Sequence, residues 1–223
     1  IKLNKPSDCC GCTACASVCS HNAITMKPDA LGFLYPVVDK NKCVDCGLCE
    51  AICPFTENYD TSLNFEVPIV YGARHKDINE VMQSRSGAVF VAISDFILDS
   101  GGVVYGVCYS SQFKIIHKRA NNKVERDEFR GSKYVQSDLI GVFRNIKNDL
   151  KSGLRVLFVG TGCQVAGLKN FVGAKLGRNL FLVDIVCHGV PSKKVWDAYL
   201  RWQEQKNHSK ISSGDFRNNK DFG

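Results

Sequence analysis

Long hydrophobic segments are missing from this 223-residue sequence. No apolar run approaches the ~20 residues that a membrane helix needs, so we expect no membrane span. Residues 1–5 contain no apolar h-region of the kind that a signal peptide carries. The sequence does not begin with methionine and stops without an obvious closing element, so we expect the natural chain to be longer at both ends.

Blocks of one charge are also lacking. The net charge is +7, but lysine and arginine are spread along the chain and form no basic arm. We therefore expect no nucleic-acid partner and interpret the excess charge as a solvated surface. A mildly basic face of this kind is still able to attract an acidic protein or an anionic cofactor.

Cysteine is in clear excess, with twelve in the chain. Eight of them form two matching runs, 9–19 and 43–53, each with the spacing C-x2-C-x2-C-x3-C, and Pro54 follows the second run. Disulfide frameworks do not repeat runs of this kind, so we expect these thiols to bind metal in a reducing cytoplasm. The spacing is typical of bacterial ferredoxins with two 4Fe–4S clusters.

The spacing has a physical reason. Three thiolates at three-residue steps let a tight loop wrap one face of an iron–sulfur cube. Gly11 and Gly47 let the backbone approach and aim N–H groups at sulfide. The fourth cysteine of each run begins a helical turn that faces the other cube. This rule predicts a crossed arrangement, with one cluster on Cys9, Cys12, Cys15 and Cys53 and its partner on Cys43, Cys46, Cys49 and Cys19.

Zinc is the alternative for these cysteines. Structural zinc takes four ligands, usually from two separated C-x2-C pairs. Each run here has a third cysteine at the same three-residue step and a fourth after three further residues, and the whole pattern occurs twice. These features favour iron–sulfur clusters. Cys10 is out of register and is interpreted as a spare thiol near a cluster. The first run ends in Cys19-Ser20 instead of a cysteine and proline, a departure that we expect to leave its cluster intact.

The order of elements predicts an α+β ferredoxin module at residues 1–56, a polar linker at 57–67 and a layered α/β domain at 68–223. The module is expected to hold two short strands between its cysteine runs, at 23–26 and 33–38. In the second domain the expected strands are 69–73, 103–109, 113–118, 155–159 and 180–186. The expected helices are 86–100, 138–151 with Ser137 as its cap, one that follows 160–163, and 192–206.

Three segments of the second domain have the composition of a ligand site. Ligands of α/β domains gather at the carboxyl ends of strands, where glycine-rich turns lead into helix N-termini. The segments are Ser-Arg-Ser-Gly at 84–87, Gly-Thr-Gly-Cys-Gln at 160–164 and Cys-His-Gly at 187–189. Each segment alone also suits an ordinary turn or cap, so spacing leaves both interpretations open.

Together with the cysteine runs, these segments resemble the beta-subunit family of coenzyme F420 hydrogenases and dehydrogenases, and the related 7-hydroxymethyl chlorophyll reductase. The matching pieces also include Gly-Ser-Lys-Tyr at 131–134 and the beginning of a further segment at Phe216-Arg217. The resemblance implies an FAD flavoprotein, because a flavin takes two electrons and releases them singly to clusters. The flavin contacts that it implies are Ser84, Arg85, Ser86, Gly87, Ser132, Lys133, Thr161, Gly162 and Gln164.

Gly162 and the pair Cys187-His188 are departures from the family pattern. Gly162 lies where many relatives have proline, and Cys187 is followed by His188. His188 is the candidate catalytic proton donor beside the flavin, with a structural histidine as the alternative. Cys163 and Cys187 are interpreted as buried thiols, with redox partners or further cluster ligands as alternatives.

The sequence thus favours an oxidoreductase that passes electrons between a flavin and two 4Fe–4S clusters. Its small-molecule hydride donor or acceptor is coenzyme F420 or another substrate, and its protein partner is a redox protein or subunit. The alternative is a non-catalytic electron-carrier subunit whose larger domain docks a partner in a larger redox complex. A structural or sensory role is a third interpretation, disfavoured because two closely coupled clusters exceed what it requires.

Overall fold

A computed structural model describes residue 1 and residues 5–56, 59–62 and 64–216. Part of the predicted linker, and Arg217 of the family segment at the end of the chain, lie outside the described residues. Within the described part, no helix is both long enough and apolar enough to cross a membrane.

The N-terminal segment folds around its two cysteine runs. After a short 3-10 helix at Pro6–Asp8 come helix α1 (Ala14–Val18), strand β1 (Ile24–Pro28), strand β2 (Leu34–Val38) and helix α2 (Leu48–Ala51). The strands form an antiparallel hairpin, which confirms the two strands predicted between the runs. Gly11 and Gly47 have φ of +69° and +74°, backbone conformations that glycine adopts without strain.

The second part is built on a four-stranded sheet in the order β4-β3-β5-β6. The strands are β3 (Val103–Tyr109), β4 (Ile115–Ala120), β5 (Val156–Thr161) and β6 (Leu180–Ile185). Strands β3 and β4 pair antiparallel, whereas β3, β5 and β6 run parallel. The sheet is therefore mixed, and the carboxyl ends of its parallel strands share one edge, where ligands of such sheets bind.

Helices lie along the sheet and between its strands. They are α3 (Ile78–Met82), α4 (Val89–Asp99), α5 (Lys123–Asp127), α6 (Val142–Lys151), α7 (Gly162–Val172), α8 (Ala174–Gly177) and α9 (Lys193–Asn207). The predicted helices near 86–100, after 160–163 and at 192–206 are confirmed within a few residues. Ser192 caps α9 as expected, because its hydroxyl accepts a hydrogen bond from the Val195 N–H at 3.4 Å.

The alternation of side chains along each strand builds a core on both faces of the sheet. Tyr105 and Phe158 point to one face, where α6 and α7 cover them. Val104 and Leu157 point to the other face, where they pack with Ile97 of α4. Residues of the ferredoxin segment, Cys12 and Ala14, also lie in the first of these cores. The two parts of the chain therefore share a hydrophobic core.

One predicted strand and one predicted helix cap are wrong, whereas the helix predicted at 138–151 is present as α6. The run 69–73 forms no strand; Val70 is 87% exposed and Tyr71 is 80% exposed. A run of β-formers becomes a strand only where a partner strand is available, and no strand of the described residues pairs with it. Ser137 does not cap a helix, because α6 begins five residues later, after Gly141 with φ of +80°. The Ser137 hydroxyl is buried and accepts a hydrogen bond from the Gln164 side chain.

His117 on β4 should make the fold sensitive to acid. Its ring is 6% exposed and stacks on Phe158, with Nε2 3.2 Å from the Val159 carbonyl oxygen. Burial lowers the pKa of His117 to about 4, below the ~6.5 of an unfolded chain. As pH falls from 6.5 toward 4, the His117 imidazole therefore becomes protonated in the unfolded state but stays neutral in the folded state.

We expect this imidazole to lower the free energy of unfolding by about 2 kcal/mol between pH 7 and pH 5, since one pKa unit is worth about 1.4 kcal/mol. Urea unfolding of the protein and of a His117→Gln variant at both pH values measures the effect. The stability advantage of the wild type over the variant should shrink by that amount at pH 5. An advantage independent of pH would contradict the expectation.

Candidate functional site

A cavity of about 670 Å³ opens at the carboxyl ends of β5 and β6. This volume lies within the ~300–1,000 Å³ that is usual for cofactor and small-molecule sites. Its walls come from both parts of the chain. The larger part contributes segments after β5 and β6 and the stretch 129–137, and the ferredoxin segment contributes Cys9, Cys10 and residues 33–35 of its hairpin.

The cavity brings together most of the side chains that the resemblance implies. Its lining includes Ser84, Arg85, Ser86, Ser132, Lys133, Thr161, Gln164 and His188. Gly87 and Gly162 are not among the lining residues. A Cβ on Gly87 would meet the carbonyl oxygen of Ala73, so this glycine permits close backbone packing. Gly162 is the first residue of α7.

Lys133 places a cation inside the cavity wall. Its Nζ donates to the carbonyl oxygens of Glu128 and Arg130, each at 2.9 Å, and lies 5.8 Å from the centre of the Tyr109 ring. Burial lowers the pKa of Lys133 to about 8. A bound anion would favour the charged ammonium over the neutral amine.

Ser84 and Arg85 of segment 84–87 are held by charged side chains. The Ser84 hydroxyl accepts a hydrogen bond from Arg130 at 3.0 Å, and Arg130 is itself paired with Asp127 at 2.9 Å. Arg85 forms an ion pair with Asp215. The hydroxyl and guanidinium groups at this side of the cavity are thus oriented by the protein before any ligand binds.

The turn from β5 into α7 forms another wall. The Gln164 side chain accepts a hydrogen bond from the Thr161 N–H and donates one to the Ser137 hydroxyl, each at 3.0 Å. These bonds fix the first turn of an eleven-residue helix beside the cavity. Backbone N–H groups at such a terminus favour an anion. The Gln164 amide is therefore occupied in holding the turn.

Cys163 and Cys187 are less buried than predicted, and His188 lies beside Cys187. Cys187 is exposed, so its interpretation as a buried thiol is wrong; its Sγ accepts a hydrogen bond from Gly189 N–H at 3.3 Å. His188 is also exposed, on the cavity rim. Cys163 is half-buried in the cavity wall, and its pKa is lowered, first of all by a hydrogen bond with the Cys10 thiol.

A second, smaller cavity joins four of the cysteines in the crossed set. Cys9, Cys12, Cys15 and Cys53 all line it, although Cys53 is remote in sequence from the other three. The lining contains no carboxylate or imidazole, and thiolates are the ligands that iron–sulfur clusters take. Burial raises the pKa of Cys15 to about 12, and a bound metal deprotonates such a thiol. Among the described residues, no three Cys, His, Asp or Glu side chains converge as on a single metal ion.

The other four cysteines lie nearer to solvent. Cys46 is exposed, and Cys19, Cys43 and Cys49 are half-buried. The Cys19 Sγ accepts a hydrogen bond from Ala23 N–H at 3.3 Å, a contact of the kind that orients cluster sulfurs. Helices α1 and α2 pack on each other. Helix α1 carries Cys15 and ends at Cys19, whereas α2 carries Cys49, so the two cysteine sets are neighbours.

Two of the cysteines around the small cavity also border the large one. Cys9 and Cys10 line both cavities. Behind them, α7 lies so close that a Cβ on Gly167 would be 2.7 Å from the Cys12 Sγ. The sequence reasoning missed Cys9, Cys10 and Arg130 as parts of the cavity wall. No spacing in the sequence marks them, because the packing of separate segments brings them there.

Two family models match separate parts of the chain. Residues 8–56 match the 4Fe-4S dicluster domain. Residues 153–222 match the family described as the C terminus of the coenzyme F420 hydrogenase/dehydrogenase beta subunit. The first match falls on both cysteine runs and the second on the segment from β5 to α9.

One curated relative and one solved structure extend the comparison. A component of the F(420)H(2) dehydrogenase of Methanosarcina mazei is 25% identical over 167 residues, which cover 70% of this chain and 46% of that relative. The chain thus spans about half the length of this relative. A chain in a xenon derivative of the F420-reducing NiFe hydrogenase complex from Methanosarcina barkeri is 17% identical, with a TM-score of 0.46 over 57% of this chain and 47% of that one.

These matches relate both parts of the chain to redox proteins. The dicluster domain supports two 4Fe–4S clusters on the N-terminal cysteines. The C-terminal match and the curated relative relate the remainder to subunits of oxidoreductases. Over residues 153–222 the chain is thus similar to the C terminus of the beta subunit of coenzyme F420 hydrogenases and dehydrogenases.

Proposed function

We propose that the chain is an oxidoreductase that passes electrons between a flavin in the large cavity and the two 4Fe–4S clusters. The observation that carries the proposal is that Cys9 and Cys10 line both cavities. A cofactor in the large cavity would therefore be separated from the first cluster by little more than this cysteine loop. Electron transfer requires such proximity, and the exposure of the rim at His188 leaves a way in for a substrate.

FAD is the cofactor that we propose for the cavity. The volume of about 670 Å³ suits a cofactor, and Lys133, Ser84 and the first turn of α7 offer a cation, a hydroxyl and N–H groups to phosphate or an anionic ring. When bound, FAD supplies the exchange between two-electron and one-electron chemistry. Lys133 would hold positive charge against it, and the His188 imidazole would carry a proton at the open rim.

The proposed cluster positions imply an order for electron transfer, from the large cavity to the solvent-side cluster or the reverse. The cluster on Cys9, Cys12, Cys15 and Cys53 would lie next to the large cavity. The cluster on Cys19, Cys43, Cys46 and Cys49 would lie nearer to solvent, because Cys46 is exposed. We propose that a partner, either a redox protein or another subunit, docks on this exposed side. Coenzyme F420 is the proposed hydride donor or acceptor, on the strength of the name of the curated relative.

The proposal is tested by adding FAD to the anaerobically prepared protein and following flavin fluorescence. We expect saturation at one FAD per chain. Reduction of the bound flavin with light and a sacrificial donor should then generate the electron paramagnetic resonance signal of reduced clusters. A protein that carries both clusters but binds no FAD would instead support the electron-carrier alternative.

Lys133 should make FAD binding dependent on pH. Because burial lowers the pKa of Lys133 to about 8, the free protein loses this charge as pH rises from 7 to 9. We expect FAD affinity to fall by up to about tenfold over that range, since binding then includes the cost of protonating the amine. A Lys133→Arg variant stays charged and should bind with little pH dependence. Equal pH dependence in both proteins would exclude Lys133 from the flavin site.

A further inference from the structure

Arg144, in the larger part of the chain, donates hydrogen bonds to the turn that carries Cys19, a proposed cluster ligand. The Arg144 guanidinium on α6 donates to the carbonyl oxygens of Ala16, Ser17 and Cys19 at 3.0, 2.9 and 2.9 Å. It also donates to the Asn22 side-chain oxygen at 2.9 Å. One planar group thus meets four acceptors within seven residues of the ferredoxin segment.

These acceptors belong to the end of α1. The last carbonyl groups of a helix have no partner within the helix, and a cation at that end is favoured by the helix dipole. The turn beyond α1 is closed by the Asn22 N–H, which donates to the Cys19 carbonyl oxygen at 3.3 Å, and by the Ala23 N–H, which donates to the Cys19 Sγ at 3.3 Å. Arg144 therefore holds the backbone of the same turn in which the Ala23 N–H orients the Cys19 Sγ, a proposed cluster ligand.

The position of this turn matters because α1 joins the two proposed cluster sites. Cys15 within α1 belongs to the set nearer the cavity, and Cys19 at its end belongs to the solvent-side set. Arg144 reaches this point from α6, whose other face is part of the core of the larger domain. Arg144 is thus anchored through α6 to the larger part of the chain, while its guanidinium bonds to the ferredoxin segment. A planar guanidinium suits several acceptors better than an ammonium does.

We propose that Arg144 is a positioning residue that fixes Cys19 and places a permanent positive charge beside the solvent-side cluster. This inference rests on the proposed assignment of Cys19 to that cluster. The charge stabilises the reduced form, which carries one more electron, and the clamp sets the distance and orientation between the two clusters. Hydrogen bonding and charge near a cluster are established determinants of its reduction potential.

An Arg144→Ala variant tests the proposal. We expect the one-electron reduction equilibrium of the solvent-side cluster to become about tenfold less favourable, which is 59 mV for a one-electron couple. The spin–spin interaction between the two reduced clusters should change as well. Potentiometric titration followed by electron paramagnetic resonance measures both. Lys151→Ala is the matched control, because it removes one positive charge from an exposed position on the same helix and should leave both quantities unchanged.

Arg144→Lys and Asn22→Ala separate charge from position. The lysine variant keeps the charge but loses the fork, so the potential should recover in part while the spin–spin interaction stays altered. Asn22→Ala removes one acceptor and should change the reduction potential in the same direction but by less. This variant provides the test if Arg144→Ala does not fold. Wild-type potentials and spin coupling in both arginine variants, with full iron content, would overturn the inference. Loss of iron from the wild type itself would instead refute the cluster assignment.

Discussion

A variant that lacks both Cys9 and Cys53 is expected to keep about four of the eight irons that two 4Fe–4S clusters contain. The two cysteines line one cavity with Cys12 and Cys15, so removing both destroys a single cluster. The other cluster keeps all four of its thiolates. An uncrossed arrangement, with each run binding its own cluster, predicts instead that this Cys9→Ala, Cys53→Ala double variant loses both.

The complementary double variant is the matched control. Cys9→Ala combined with Cys19→Ala removes two cysteines of the same run and should cost both clusters if the arrangement is crossed. Iron and sulfide analysis of the two double variants, prepared without oxygen, measures the outcome. About four irons in the first and almost none in the second is the expected pair of results. The reverse pair would show that each run binds its own cluster.

Gly167→Val is expected to disturb the cluster next to the cavity from the opposite side. A Cβ at this position would lie 2.7 Å from the Cys12 Sγ and 3.0 Å from its Cβ. Both residues are buried, so either helix α7 or the cysteine loop must shift to make room for the side chain. Overpacking of this kind costs about 1–3 kcal/mol, and here the displaced group is a proposed ligand. We expect a lower unfolding free energy and loss of one cluster.

Gly177→Val serves as the control for Gly167→Val. It places the same side chain in a helix where a Cβ would meet nothing within 4 Å. Urea unfolding and iron analysis of both variants separate a general cost of valine in a helix from a specific clash with Cys12. Full iron content and unchanged stability in Gly167→Val would contradict the close packing of α7 on the cluster loop.

Local patterns in the sequence predicted much of the fold. The cysteine spacing gave the ferredoxin segment, because cluster geometry ties residue type to position over a few residues. The hairpin between the runs and the buried strands β5 and β6 follow from short apolar runs bounded by turn residues. The cap at Ser192 follows from the preference for a hydroxyl at a helix start.

Tertiary packing decided the features that local patterns missed. The run 69–73 has the composition of a strand, yet no strand of the described residues pairs with it and its side chains stay exposed. Ser137 looks like a cap, but burial beside Gln164 gives its hydroxyl another use. The same cause explains the large cavity, whose walls join residues as distant in sequence as Cys10 and Val190. Likewise, nothing local marks Arg144 as a contact of Cys19.

The most direct test of the account is the analysis of iron, acid-labile sulfide and released flavin in one anaerobic sample. The account predicts about eight irons and eight sulfides per chain, together with about one FAD. Donor screening with reduced coenzyme F420, NADH and reduced ferredoxin would then identify the reaction. About eight irons with no flavin, even after incubation with FAD, would contradict the proposed passage of electrons between the large cavity and the clusters.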